Sequence, residues 1–288
     1  MSVDLFTRNQ WYAIGRRQDV PARGERATHL LDEELVVTFA NDKPSVFAHD
    51  RYTKALRSLP CFERYGHLWT SLGENNRPLY QMPEFEEPQR RLVTAGAVTV
   101  RASGQRVVEN FLDMAHFPFV HTGILGEEAH PSVNNYTAEV RPEVDEVWAT
   151  KCEFYQPQAA AAAEGGQMTQ YMYRVPHPFS TVLYKTCPIR DGAWDLIGLF
   201  IQPKREDLCD VHSFVLVFDE TNSDEALLQF QQMIFLQDRS ILENQVPKLL
   251  PLDPRRELPT RADASSIAYR RWLKAKGQKY GTLPEAAA

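Results

Sequence analysis

The stretch GQRVVENFLDMAHFPFVHTGILG, residues 104–126, gathers Asn110, Asp113, His116 and His121 in one short run. Val107, Val108, Phe111, Leu112 and Ala115 recur at helical spacing and predict a helix over about 104–117 with one apolar side. Asn110, Asp113 and His116 step by three along the other side, and Pro118 is expected to end the helix. At i and i+3, Asp113 and His116 would be neighbours on one face, whereas the distance from His116 to His121 is set by the fold beyond the proline. Two imidazoles and a carboxylate are common metal ligands. The same residues are equally compatible with a capped helix whose histidines are only hydrogen-bonded, so the rest of the chain has to decide.

A third ligand is suggested far downstream, in FQQMIFLQDRSILENQVPK at 230–248. Asn222 or Ser223 can cap a long helix there that runs to about Val246, with Pro247 closing it. Asp238 has Ile234 and Phe235 at i−4 and i−3, and Ile241 and Leu242 at i+3 and i+4, which puts a carboxylate in the apolar stripe. Such a group is costly to bury unless a cation or several donors satisfy it. A salt bridge to Arg239, Arg270 or Arg271 at the edge of the stripe is the alternative. His116, His121 and Asp238 together would make a facial triad, two histidines and one carboxylate, leaving positions on Fe(II) open for O₂ and substrate.

Around these segments the chain reads as α+β. Up to about Val100 it consists of short strands broken by turns, including LVVTF at 35–39, PSVFAH at 44–49 and HLWTSLG at 67–73. The charged, proline-rich ENNRPLYQMPEFEEPQRR at 74–91 reads as a connection, which divides the chain into a β-rich part at 1–90 and a second part at 91–288. Six strand-like runs between 133 and 219 predict one antiparallel sheet, which with the long helix after it suggests a sheet gripping a helix. Between two of those runs, QPQAAAAAEGGQ at 156–167 is low-complexity and reads as a mobile loop, and SSIAYRRWLKAK predicts a final short helix.

With 288 residues, 43% hydrophobic and 24% charged, the chain can bury a sizeable core. A net charge of −6 with no basic stripe argues against nucleic acid or an anionic membrane as partner. No apolar run is long enough to span a bilayer, and the start MSVDLFTRNQW lacks a signal-peptide pattern, so the cytoplasm is the expected location. The four cysteines, Cys61, Cys152, Cys187 and Cys209, form no CxxC or CxH pair. His29, His49, His67, His130, His177 and His212 follow no common pattern and read as structural. Aromatic strands such as QYMYRV could line an apolar cavity, although core packing is the simpler reading, and Glu243 and Gln245 flank the metal-site helix without an assignable role.

Residues 110–121, FLQDRSILENQ at 235–245 and RADASSIAYRRWL at 261–273 occur in an order that resembles the catalytic domain of the Rieske non-haem iron oxygenases, over most of 90–276. The resemblance implies a helix-grip (START/Bet v1-like) catalytic domain and a mononuclear Fe(II) held by His116, His121 and Asp238. It implies that Asp113 bridges a Rieske-cluster ligand on a neighbouring molecule to His116, and that Asn110 lies near the iron. The segments 11–51 and 62–74 resemble the opening and close of a Rieske domain, but only YTKALRSLPC at 52–61 lies between them. The family carries CxH and CxxH there to hold a [2Fe–2S] cluster; here Cys61 and His67 are the nearby pair, and one cysteine cannot hold it. The implied protein is a cluster-less oxygenase component with a truncated, β-rich Rieske-like remnant. Similar family members remove N-methyl groups from methylxanthine-like heteroaromatics, taking electrons from a partner reductase that carries the Rieske centre. A homotrimer, or a hetero-oligomer with a related oxygenase subunit, is expected. Two other readings remain: a non-catalytic scaffold or ligand-binding subunit, and a Zn²⁺ hydrolase on the same ligands. Metal analysis separates them.

Overall fold

In the computed structural model, residues 3–283 are described apart from 22, 23, 51, 52, 54, 75, 76, 159, 162–164 and 254. The chain is built around an antiparallel sheet whose path runs Thr137–Arg141, Glu146–Gln156, Gln167–His177, Ser180–Thr186, Trp194–Arg205, Leu208–Val217 and Arg91–Thr94, with Val98–Val100 also on Leu208–Val217. The six downstream strands form one antiparallel sheet, as their alternation predicts. Short strands are expected up to about Val100, but the pairing of Arg91–Thr94 and Val98–Val100 with the main sheet is not. They bury only Val93 and Val100, too little to show which sheet they join; the edge of Leu208–Val217 takes them by pairing.

Both faces of this sheet are covered, which is why its inner strands are buried nearly throughout. On one face Val182, Tyr184, Leu196, Phe200, Phe214 and Leu216 pack against Tyr65, Trp69, Leu79 and Met82 of the N-terminal part. Gly198 makes room on that face, because a Cβ there would lie 2.3 Å from the Phe214 ring, which stacks on Phe200 at 4.7 Å. On the other face Val147, Ala149, Cys152, Phe154, Tyr171, Tyr173 and Val175 meet the helices. The inward set switches from odd to even numbers between Ala149 and Cys152, at a bulge where Lys151 adopts φ 59°. One extra residue in the strand turns Cys152 and Phe154 inward.

The N-terminal part holds a meander of Glu25–Leu30, Glu33–Ala40, Lys43–His49 and Leu56–Leu59, and a three-stranded sheet of Tyr12–Ala13, His67–Thr70 and Cys61–Arg64. Part of the segment 52–61 lies outside the described residues, as does part of 156–167. Backbone bonds from Leu31 N–H to Pro203 C=O and from Asp32 N–H to Lys204 C=O fasten the meander to the main sheet.

The helices carry one correction. The first ends at Leu112, not near residue 117. Asp113 leaves the helix with ψ 128°, and its carboxylate accepts the Ala115 N–H at 2.8 Å, a local bond that competes with continuing the helix. His116 is then the N-cap of a short helix, Phe117–Val120, in whose first turn Pro118 sits; the proline begins a helix and does not end one. The long helix runs Asp224–Asn244, with the Ser223 hydroxyl accepting from Ala226 N–H, and the last helix is Ala264–Ala275.

Candidate metal centre

His116 and His121 lie at the two ends of the short helix Phe117–Val120, and Asp238 faces them from the middle of the long helix. His116 Nε2 and His121 Nε2 are 3.1 Å apart, and Asp238 Oδ1 is 3.2 Å from the first and 3.0 Å from the second. His121 is 1% exposed, and the side chains of His116 and Asp238 are 13% and 14% exposed. Among the described residues Asp238 makes no ion pair with Arg239, Arg270 or Arg271: Arg239 bonds Glu243, and Arg270 bonds Glu109 and Glu257.

The orientation of the rings decides what this triangle can hold. His116 Nδ1 donates to Asp113 Oδ2 at 3.0 Å, and His121 Nδ1 donates to Gln237 Oε1 at 2.8 Å. With both Nδ1 atoms carrying the hydrogen, the neutral rings turn their Nε2 lone pairs toward Asp238 Oδ1, which completes no hydrogen bond among the described residues. Three acceptors at this spacing repel unless a proton or a cation lies among them. Burial pulls the His116 pKa down, but the carboxylates of Asp113 and Asp238 overcome it and hold it at about 9. Burial pushes Asp238 up, and the two histidines outweigh that and lower it. Metal–ligand bonds of roughly 2.1 Å at right angles place ligand atoms roughly 3 Å apart, so the triangle has the dimensions of one face of an octahedron. Among the described residues, no other group of three or more His, Cys, Asp or Glu is arranged to hold a metal.

Two cavities meet here. An inner one, narrow at about 70 Å³, is walled by His116, His121 and Asp238 on the helices and by Gln156, Tyr171, Tyr173 and Lys185 on the sheet. An outer groove of about 520 Å³ opens to solvent, with Asp113 and His116 in its wall. Asn110 borders both. Asp113 therefore stands between the groove and His116, and its side chain keeps 26% exposure. Ile241 and Leu258 rim the groove at 49% and 95% exposure. Glu243 accepts from Arg101 N–H and Arg239, away from the triangle, and Gln245 caps the long helix.

Gln237 and Lys185 were not recognised from sequence. Gln237 adjoins Asp238, but its hydrogen bond to His121 depends on the tertiary placement of that ring. Lys185 is a lysine that directly follows the apolar and aromatic run Val182, Leu183 and Tyr184 in a strand, and that is the signal that could have found it.

Residues 100–278 match the family model described as the vanillate O-demethylase oxygenase C-terminal domain. The chain is 44% identical over 277 residues to a probable methylxanthine N7-demethylase, NdmC, of Pseudomonas sp. (strain TJI-51), covering 96% of this chain and 97% of that protein. It is 27% identical to the methylxanthine N1-demethylase NdmA of Pseudomonas putida, over 74% of this chain and 59% of that one. Among solved structures it resembles NdmA of Pseudomonas putida CBB5 with caffeine (TM-score 0.77, 20% identity, 93% of this chain and 90% of that one). Dicamba monooxygenase bound to dicamba is similar in fold (TM-score 0.74, 15% identity, 96% and 98% covered).

Proposed function

The chain belongs to the vanillate O-demethylase oxygenase family of Rieske-type non-haem iron monooxygenases, and from that premise we propose that it is the oxygenase component of an N-demethylase acting on methylxanthine-like heteroaromatics. The observation that carries the reading is the triangle of His116 Nε2, His121 Nε2 and Asp238 Oδ1, set in the wall of a cavity lined by aromatic and polar side chains. On this reading these three residues hold one Fe(II). The bound iron supplies O₂ activation, by which an N-methyl group is hydroxylated and leaves as formaldehyde.

The protein's own residues position the reactants. Asp113 fixes the His116 tautomer and Gln237 that of His121, so both rings keep their lone pairs on the metal position. Asp113 also joins His116 to the open groove, which suits it to pass electrons inward from a donor seated there. The exposed Ile241 and Leu258 offer that donor an apolar rim. The donor is a reductase carrying a Rieske [2Fe–2S] centre, and residues 1–90 are a cluster-less Rieske-like remnant beside the helix-grip domain at 91–288. Within that remnant the Cys61 thiol is spent on the Pro44 carbonyl at 3.3 Å. A homotrimer, or a hetero-oligomer with a related subunit, is the assembly proposed.

Purified protein, a Rieske-containing reductase, NADH and candidate methylxanthines provide the test. Formaldehyde is expected in step with substrate loss, with about one iron per chain and no iron–sulfur absorbance from this chain alone. Zinc at one per chain with hydrolysis, or a metal-free chain that only binds ligand, would replace the oxygenase reading. A [2Fe–2S] spectrum would overturn the cluster-less assignment.

A further inference from the structure

The sheet side of the inner cavity carries hydrogen-bonding capacity that the protein itself leaves unused. Cross-strand register sets Tyr171 opposite Lys185 and Lys185 opposite Asp195, and Tyr173 lies two residues along on the same face. Lys185 is 4% exposed, and burial draws its pKa down to about 8 against the opposing pull of Asp195. An ammonium has three N–H donors. Among the described residues Lys185 Nζ makes one hydrogen bond, to Gln156 Oε1 at a long 3.4 Å. Asp195 instead accepts from the Phe218 N–H at 3.2 Å. The buried Tyr173 hydroxyl completes no hydrogen bond among the described residues, and neither does that of Tyr171 or the Thr169 hydroxyl near it.

Buried donors without acceptors are costly, and leucine or phenylalanine would serve a purely hydrocarbon ligand better. The next row, Tyr173, Leu183 and Ile197, has that apolar character at Leu183 and Ile197 and also lines the cavity. A wall that groups idle donors on Tyr171, Tyr173 and the adjacent Lys185, beside the aliphatic Leu183 and Ile197, matches a flat ring that has acceptors on one edge. We infer that Lys185, Tyr171 and Tyr173 recognise exocyclic carbonyl oxygens of an N-methylated oxo-heteroaromatic ring, turning its polar edge to the sheet and its methyl group to His116, His121 and Asp238. This rests on the demethylase reading and adds to it the residues that select the substrate. A tyrosine hydroxyl can donate or accept, whereas the ammonium only donates. Lys185 therefore sets the polarity of the wall and requires an acceptor opposite it.

The test is calorimetric binding to the Fe(II)-loaded protein under nitrogen, using 7-methylxanthine, with two ring carbonyls, 7-methylpurine, with none, and a methoxybenzoate. Wild type is expected to prefer 7-methylxanthine by about a hundredfold or more, because a site built for hydrogen bonds rejects the analogue that lacks them. Lys185→Met is expected to weaken 7-methylxanthine about ten- to a hundredfold and to leave 7-methylpurine unchanged. Its unfolding midpoint should match or exceed wild type, since it replaces a buried charge by an apolar side chain of similar length. Should it fail to fold, Tyr171→Phe and Tyr173→Phe keep the packing and should each cost about three- to tenfold on 7-methylxanthine alone. Equal affinity of wild type and variants for 7-methylxanthine overturns the wall, even if formaldehyde is released. Wild type that does not bind 7-methylxanthine also overturns it. Tight binding that depends on Lys185 but yields no formaldehyde with a reductase leaves the wall standing and overturns the demethylase reading. Preference for the methoxybenzoate, lost in Lys185→Met, would put a carboxylate opposite the lysine and overturn the carbonyl assignment.

Discussion

Asp238 and Asp113 both reach His116, yet they are expected to fail differently when removed. Asp238 Oδ1 is one corner of the ligand triangle, so Asp238→Ala should abolish iron binding, as read by metal content after gel filtration. Asp113 bonds the far side of the ring; Asp113→Ala should retain iron and slow turnover with a reductase more than tenfold. Equal turnover would remove the electron-bridge role. Gln237 holds the other histidine: Gln237→Leu should lower metal affinity about ten- to a hundredfold, the usual cost of losing such a support, as measured by competition with a chelator. The candidate residues His116, His121 and Asp238, which the fold brings together, and Asp113 were legible from residue identity and spacing, because a carboxylate in an apolar stripe is a physical anomaly visible in one dimension. Gln237 and the orientation of both rings were not, because they depend on how two segments more than a hundred residues apart are docked.

At the scale of elements, the helix Gly104–Leu112 carries Asn110 and leads into Asp113 and His116, so its seating matters to the site. Gly104 touches the sheet so closely that a Cβ would lie 2.9 Å from Ile201 Cγ2 and from Phe179 Cδ1. Gly104→Ala is therefore expected to destabilise by about 1–3 kcal/mol through overpacking, despite the better helix propensity of alanine; denaturant unfolding measures the net effect. The same helix is tied to the last one by a buried ionic cluster. Arg106, with a side chain 0% exposed, bonds Glu109 at 2.8 Å and Glu257 at 2.6 Å, and Arg270 bonds both glutamates from the opposite side. Arg106→Met would leave the carboxylates undercompensated and should cost roughly 3–5 kcal/mol. The cluster also underlies the groove that contains Asp113, so the loss of stability should be accompanied by weaker coupling to the reductase. The long helix was readable end to end from Ser223, its periodicity and Pro247. The first helix was overextended by the sequence reading, since an apolar period continues through Ala115 while the Asp113 side chain has already ended the helix.

For the molecule as a whole, acid stability follows from three histidines buried between layers. Burial pulls His67 down to about 4 and His177 down to about 3, and His212, lying beside His67, is lowered well below its ordinary value. Unfolded, each protonates near its ordinary value of about 6.5. Between pH 6.5 and the folded values the unfolded chain binds more protons, so stability rises with pH. It should be fully present above about pH 6.5 and fall as pH drops toward 4, by up to about 1.4 kcal/mol per pH unit for each histidine. Urea midpoints at pH 7.5, 6 and 5 measure the slope, and His177→Gln should flatten it if the variant folds. No helix among the described residues is long and apolar enough to cross a membrane.

The sequence by itself determined the strands that alternate, the capped long helix, and the chemical identity of two histidines and an aspartate, because periodicity, capping and the cost of burying charge are local or one-dimensional properties. The tertiary structure alone decided three things. The short strands Arg91–Thr94 and Val98–Val100 join the main sheet because the edge of Leu208–Val217 takes them by pairing. The three candidate ligand atoms come to about 3 Å spacing because the fold sets the two ends of the short helix against Asp238 and Gln237 of the long one. Lys185 becomes a cavity wall because register places it beside Tyr171, where it is buried. Each depends on contacts between segments distant in sequence, and no local pattern records them.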